Sequence, residues 1–335
     1  MIAEKVNIVI PAIKIDDELL KCLKEINKIN YSNFFATIVL DQQENNKLPK
    51  FKYKVNKLIV GKINMSTKRN IAVKKFKSKY IAFIDSDAYP NKNWLKLGIK
   101  YLKQKKGEIV GGPSLPFPDQ NYSQKICYLS KRSYFVSGYL NFRKYKAKKR
   151  HCNWLESCNL ILQKNFFLKY RGMDGTRYTG EDKEFFERVR KKNPNLKVFY
   201  SPDLYIYHRD RRYFGFLLQR SCFGMDFFNL IKFNFGIKGF QPLFPILIFL
   251  ALMIILISKI ALTSKATILL SCFALINLTI LFETKKYIKS IKTLFLTVLT
   301  INLANIAFAL GGIITLIGLK NLLVNKVYSY SRWNA

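Results

Sequence analysis

The sequence predicts an α/β domain built on a mostly parallel sheet, followed by an all-α apolar region. Three observations predict it. Short apolar runs rich in branched residues alternate with amphipathic stretches through the first two-thirds of the chain. One of these runs, Tyr80-Ile81-Ala82-Phe83-Ile84, leads directly into Asp85-Ser86-Asp87, and in open α/β sheets ligands sit at the carboxyl ends of strands. Residues 242 to 317 are dominated by Leu, Ile, Phe and Ala, with long stretches free of charge.

In chain order, Val6-Asn7-Ile8-Val9-Ile10 reads as a strand closed by Pro11-Ala12. Asp16 and Asp17 then cap and charge a helix whose apolar stripe is Leu19, Leu20, Leu23, Ile26 and Ile29. Ala36 to Leu40 is a second strand ending at Asp41-Gln42-Gln43, and Lys57 to Val60 a third. A helix begins within Met65-Ser66-Thr67-Lys68-Arg69-Asn70, with Ser66 or Thr67 as its cap. The strand before Asp85 is the fourth, and strand-helix alternation implies right-handed crossovers.

Beyond it, Asn93-Trp94-Leu95 opens a helix to about Lys103, and Ile109-Val110 is a strand running into Gly111-Gly112-Pro113. Residues 124 to 150 carry no clear period; an acceptor-side loop, a membrane-contacting helix and solvated filler are all open readings. Trp154 to Leu162 reads as a strand and Asn165 to Tyr170 as a short helix ending at Gly172. Thr179-Gly180-Glu181-Asp182 starts a helix through about Lys191, and Leu196 to Tyr200 and Leu204 to Tyr207 are short strands.

The apolar region has three candidate spans, at 242 to 258, about 266 to 282, and 293 to 317; the first two are near the lower length limit, so two to three crossings are expected. Between the second and third lies a loop with Lys285, Lys286, Lys289 and Lys292, which argues for a cytoplasmic loop and catalytic domain. Lys320, Lys326 and Arg332 then fall on the other side, against the same rule. Residues 213 to 235, with Arg220, Asp226 and Lys232 among aromatic and aliphatic side chains, suit a membrane interface or a helix packed under the sheet. The expected domains are 1–208 catalytic, 209–240 interfacial, 241–320 membrane and 321–335 tail.

A net charge of +36 over 335 residues is compatible with nucleic acid, anionic lipid or an anionic substrate. No zinc-finger spacing, helix-turn-helix or RNP pattern accompanies it, so no nucleic acid is expected as a partner, and membrane lipids are. The six cysteines are scattered, with no Cys-x-x-Cys pair, as reduced thiols are and a disulfide frame is not. Met1 to Pro11 runs straight into a strand, so no cleavable signal peptide is expected.

Asp85 and Asp87 carry the chemistry. Like charges held one residue apart are costly unless a cation joins them, and a hard divalent ion takes carboxylate oxygens. The competing reading is an Asp-rich turn.

Taken in order, Ile8-Val9-Ile10-Pro11, Asp41, Arg69-Asn70, Asp85-Ser86-Asp87, Gly111-Gly112-Pro113, Asn159, Gly180-Glu181-Asp182 and His208 followed by Arg211 or Arg212 resemble a family 2 glycosyltransferase of the GT-A fold. The resemblance covers roughly residues 5 to 235. It implies a nucleotide-sugar donor, with Mn²⁺ or Mg²⁺ held by Asp85, Asp87 and His208. It implies donor contacts from Pro11, Asp41, Gln42, Arg69, Asp85, Ser86, Arg211 and Arg212, the last two facing either the diphosphate or anionic lipid. Asp182 takes the place of the general base, Glu181 supports it or meets the acceptor, and the outcome is inversion. His151 has no such role.

Two departures stand out. Many family members carry two acidic residues where this chain has Asp41-Gln42, so the preference for uridine is weakened, although a Gln amide still hydrogen-bonds. Arg171-Gly172-Met173-Asp174 replaces a common Gly-Gly-Phe-Asp. The expectation is therefore a membrane-anchored, metal-dependent, inverting glycosyltransferase at the cell membrane, with a lipid-linked sugar or envelope glycan as acceptor. Its alternatives are a polyprenyl-phosphate glycosyltransferase and a catalytically silent basic membrane scaffold.

Overall fold

The computed structural model describes residues 3–44, 48–177, 179–231, 244–258 and 261–319. Lys232, Lys259, Lys320, Lys326, Arg332, the end of the 209–240 segment and the 321–335 tail lie outside the described residues. The chain forms two compact units, Met1–Pro118 with Phe142–Arg209, and Asp119–Asn141 with Asp210–Ala335.

The first unit is a mostly parallel sheet wrapped by helices. Its central strands β1 (Val6–Pro11) and β2 (Phe34–Leu40) are buried at every position, as both-face coverage of a parallel sheet requires. They are joined through α1 (Asp17–Ile26), capped as expected by Asp16, whose side chain accepts from Leu19 N at 3.0 Å. β3 (Lys54–Ile59) begins three residues earlier than expected and is an edge strand with exposed residues. α2 (Met65–Lys75) is capped by Asn64, which accepts from Thr67 N at 2.8 Å. The helix therefore starts one residue before Ser66, and neither Ser66 nor Thr67 is the cap.

β4 (Tyr80–Phe83) pairs in parallel with β1, and the chain turns through Asp85 to Asp87 into β5 (Ala88–Pro90). α3 (Trp94–Lys103), β6 (Ile109–Gly111) and β7 (Ser114–Pro116) follow. Past the second unit's insertion come β8 (Arg150–His151), β9 (Leu160–Gln163), α6 (Lys164–Lys169), α7 (Glu181–Lys192), β10 (Val198–Tyr200) and β11 (Ile206–His208).

The main sheet runs β3-β2-β1-β4-β9-β6-β10-β8. β9 is antiparallel to both β4 and β6, so a right-handed crossover is not needed there. β9 is shorter than expected, because 154–159 is irregular and its polar groups serve the site described below. A second small sheet, β5-β11-β7, sets His208 opposite Ala88, and Arg209 N donates to the Asp87 carbonyl at 3.0 Å. Asn159 ties this region together: its side chain accepts from Trp94 Nε1 at 2.9 Å and donates to the Leu204 carbonyl at 2.8 Å.

The second unit is helical. Within the stretch that shows no period in sequence, α4 (Tyr122–Arg132) and the short α5 (Tyr134–Ser137) form in this unit, and a 3₁₀ turn over Gly138–Lys144 leads back into the first. α4 opens with a reciprocal capping box between Asn121 and Gln124, so of the three open readings a helix is what forms. α8 (Tyr213–Ile231) packs on the helix Ile291–Leu316 with backbones in close approach: a Cβ on Gly224 would fall 2.0 Å from the Phe308 carbonyl, and one on Gly311 2.0 Å from that of Ser221.

Leu262–Thr284 and Ile291–Leu316 are long and apolar enough to cross a membrane; Phe244–Ile257, at 14 residues, is shorter than a span. Glu283 accepts from Ser133 Oγ at 2.5 Å and Tyr134 N at 2.6 Å, capping α5 within this unit.

Candidate active site

The first unit's candidate side chains meet at the carboxyl ends of β1 and β4 and at the amino end of the antiparallel β9. The strand β4 is entirely buried, so Asp85 leaves it at a fixed point; its side chain keeps 31% of its exposure and that of Asp87 42%. The register of β11 carries His208 beside them, with Nε2 at 3.6 Å from Asp85 Oδ2 and 3.6 Å from Asp87 Oδ1. Arg69, 2% exposed on α2, places Nη2 at 2.6 Å from Asp85 Oδ1 and Nη1 at 3.4 Å from Glu181 Oε1.

The charges follow from these neighbours. Burial disfavours an ionised Asp85, but Arg69 and His208 outweigh it and hold the carboxyl at about 2. Burial likewise opposes a charged His208, yet Asp87 and Asp85 raise it to about 9. Burial works against Arg69 too, and Asp85 and Glu181 keep it charged.

These residues fit a divalent cation. His208 Nδ1 lies 2.9 Å from the Arg209 carbonyl and donates to it, so the nitrogen facing the two carboxylates is Nε2, which takes a cation in exchange for its proton. Separations of 3.6 Å exceed a hydrogen bond and suit ligands of one small ion, whose own bonds are about 2 Å. Carboxylate oxygens and an imidazole nitrogen are donors that a divalent cation takes. Cys158 Sγ lies in the same group: one donor atom each from Asp85, Cys158 and His208 fall within 4.8 Å of one another.

Asp182 stands on the first turn of α7, entered through Gly180 at φ 67°, a left-handed conformation that suits glycine. Its Oδ2 accepts from Ser157 N at 3.3 Å and its Oδ1 from Lys183 N at 2.7 Å. Burial, then the neighbouring Glu181 carboxylate, push its carboxyl up to about 7. Glu181 accepts from Ser157 Oγ at 3.2 Å. One serine thus holds both acidic residues, and Glu181 is linked to Asp85 through Arg69.

At the end of β1, Pro11 is buried and the Ala12 carbonyl accepts from Lys68 Nζ. Lys68 is fully buried and also pairs with Asp41. Gln42 is exposed and Ser86 half-buried in the turn between the two aspartates. Arg211 and Arg212 fall in the second unit.

The residues that sequence reasoning missed are Lys68, Lys144, Glu156, Ser157 and Cys158. Glu156 accepts from Ser114 Oγ at 2.9 Å and pairs with Lys144 Nζ at 2.6 Å; burial opposes its charge, but Lys144 and Arg143 hold its carboxyl well below the usual range. One signal was available: Glu156 is the single carboxylate between Asp119 and Asp174, in a run crowded with lysine and arginine. Nothing local separates Lys68 from the chain's other lysines.

Residues 7–171 match the family described as "Glycosyl transferase family 2". No curated protein matches the chain. Among solved structures, the mannosyltransferase PcManGT from Pyrobaculum calidifontis, in complex with GDP-Man and Mn²⁺, aligns with TM-score 0.58 and 12% identity over 93% of this chain and 88% of that one. The S. aureus protein TarS aligns with TM-score 0.45 and 14% identity over 76% of this chain and 44% of its own length, so this chain spans less than half of it. Its residues 1–349 in complex with UDP-GlcNAc align with TM-score 0.47 and 14% identity over 94% of this chain and 92% of that one. Residues 7–171 thus match the family 2 glycosyltransferase model, and the mannosyltransferase shares the fold: a domain of the GT-A type is followed by apolar helices.

Proposed function

We propose that the first unit moves a sugar from a nucleotide-sugar donor to a hydroxyl acceptor, with inversion at the anomeric carbon. The observation that carries this reading is the meeting of Asp85, Asp87, His208 and Arg69 at one sheet end. Mn²⁺ or Mg²⁺ held by Asp85, Asp87 and His208 supplies a Lewis acid for the departing diphosphate. Arg69 orients Asp85 and carries positive charge toward the same end of the pocket.

Asp182 is the base. Its backbone hydrogen bonds from Ser157 and Lys183 aim the carboxylate, and a carboxyl poised at about 7 accepts a hydroxyl proton near neutral pH. Glu181, tied to Arg69 and Ser157, keeps that side of the pocket anionic and positioned. A single displacement leaves no covalent intermediate, hence inversion. Asp41, fixed by Lys68, and the exposed Gln42 border the nucleotide; the Gln42 amide both donates and accepts, so it does not select uridine alone.

Residues 1–208 are the catalytic domain in this reading and 241–320 the membrane region, with an acceptor near the membrane, a lipid-linked sugar or an envelope glycan. The lysines between Leu262–Thr284 and Ile291–Leu316 support a cytoplasmic loop and catalytic domain. Arg211 and Arg212 meet the donor diphosphate or anionic lipid.

The test is release of nucleoside diphosphate from a panel of nucleotide sugars by the full chain in detergent with membrane extract and Mn²⁺. Release from one donor, lost in Asp182→Asn, supports the proposal. No release from any donor by folded protein rejects it in favour of the silent scaffold.

A further inference from the structure

We propose that Cys158 gives the divalent-ion site a second, thiophilic mode of binding, in which Zn²⁺, Co²⁺ or Cd²⁺ is held by Asp85, His208 and the Cys158 sulfur. The inference rests on the metal reading of the same site.

Cys158 is buried at 6% exposure immediately before β9, and its sulfur belongs to the group whose donor atoms lie within 4.8 Å of one another. A carboxylate, an imidazole and a sulfur are three different donor types, and ions sort themselves among them. Mn²⁺ and Mg²⁺ favour oxygen and leave a thiol alone, whereas Zn²⁺, Co²⁺ and Cd²⁺ favour sulfur with imidazole.

The local hydrogen bonds keep the sulfur as a thiol until such an ion arrives. Ser114 Oγ donates to Glu156 at 2.9 Å, which leaves its lone pair for the Cys158 S–H at 3.6 Å. Binding a thiophilic ion replaces the S–H bond with a metal–sulfur bond and releases that proton to solvent. The hard ion uses Asp87, and the soft ion exchanges that oxygen for sulfur. The second nearby thiol, Cys22, is not part of this mode: its sulfur lies 3.8 Å from the Asp85 carbonyl oxygen and is spent on it.

The experiment uses the full chain in detergent. Co²⁺ is titrated while absorption is followed, and Cd²⁺ is followed by cadmium NMR on the unaltered protein, so that one readout needs no variant. The expected result is a sulfur-to-cobalt charge-transfer band and a thiolate-type cadmium shift. The band disappears in Cys158→Ala, persists in Cys22→Ala and Cys272→Ala, and Cys158→Ala weakens Cd²⁺ by about 10-fold or more, as loss of a supporting ligand does. Mn²⁺ binding by Cys158→Ala stays within about 2-fold of the unaltered protein, since oxygen-preferring ions leave the thiol alone.

Cobalt bound with no charge-transfer band, or a band that survives in Cys158→Ala, overturns the inference while the Mn²⁺ reading stands. Failure of Mn²⁺ to bind at all, with the band intact, removes the proposed resident ion instead and leaves the thiophilic site. Absence of both rejects both.

Discussion

The Arg69 guanidinium lies 2.6 Å from the Asp85 carboxylate and, through its other terminal nitrogen, 3.4 Å from Glu181. A cation that is 2% exposed thus joins the carboxylate at the end of β4 to the one at the start of α7. Removing it leaves Asp85 and Glu181 without their shared partner.

Arg69→Ala should destabilise the protein by about 3 kcal/mol, the lower end for breaking a buried pair, because Asp85 retains part of its exposure. Arg69→Lys keeps the charge but reaches only one carboxylate at a time, so it should restore stability in large part and Mn²⁺ affinity only partly. Thermal melts with Mn²⁺ titrations read both. Equal loss of both properties in Ala and Lys would refute the bridging role.

Lys68→Met should unfold more easily, since it strands Asp41 beside β2 and leaves the Ala12 carbonyl without its partner. A loss of about 3 kcal/mol corresponds to a melting shift on the order of 10 °C in a unit of this size. Asp41→Asn in the same background should recover part of it, and a simple additive loss would show that the pair is not coupled.

The activity profile should rise with pH through about 7. Asp182 carries a carboxyl raised to about 7 by burial and Glu181, is protonated below that value, and then cannot accept the acceptor's proton. Asp182→Asn should lose on the order of 10² to 10⁴ in rate. The stability effect runs the opposite way: a folded value above the unfolded one gives stability that is present at acid pH and lost as pH rises toward 7. Unfolding of Asp182→Asn should therefore be flatter across that interval, measured by denaturant midpoints at pH 4 and pH 8. An unaltered pH–rate profile in a variant that keeps Asp182 but lacks Glu181 would remove Glu181 from the account.

In the second unit, Gly311→Val should push α8 and Ile291–Leu316 apart, because its Cβ meets the Ser221 carbonyl at 2.0 Å. A clear loss of melting temperature in detergent is expected, and no change would place the helices further apart than described.

Much of the first unit was readable from the chain. β1, α1, β2 and β4 follow from local signals, an apolar run or a capped amphipathic stripe, and each forms where those signals point. The aspartates at the end of β4 were readable because strand direction fixes where a strand's end projects. What failed did so for tertiary reasons. Residues 154–159 have strand-like composition, yet Glu156 and Ser157 find partners in Ser114, Lys144, Glu181 and Asp182, and the backbone follows those bonds. Lys68 looks like any surface lysine until the fold places Asp41 and Ala12 against it. Residues 122–132 hide their helix because Tyr, Lys and Arg blur the period, although Asn121 and Gln124 form a legible capping box.

The most direct test of the central claim is calorimetric binding of nucleotides and nucleotide sugars to the full chain, with and without Mn²⁺, for the unaltered protein and for Asp85→Asn with Asp87→Asn. Mn²⁺-dependent binding of a nucleotide class that vanishes in the double variant, while the fold is retained, is what the account predicts. Nucleotide binding that is indifferent to Mn²⁺ and unchanged in the double variant would contradict it.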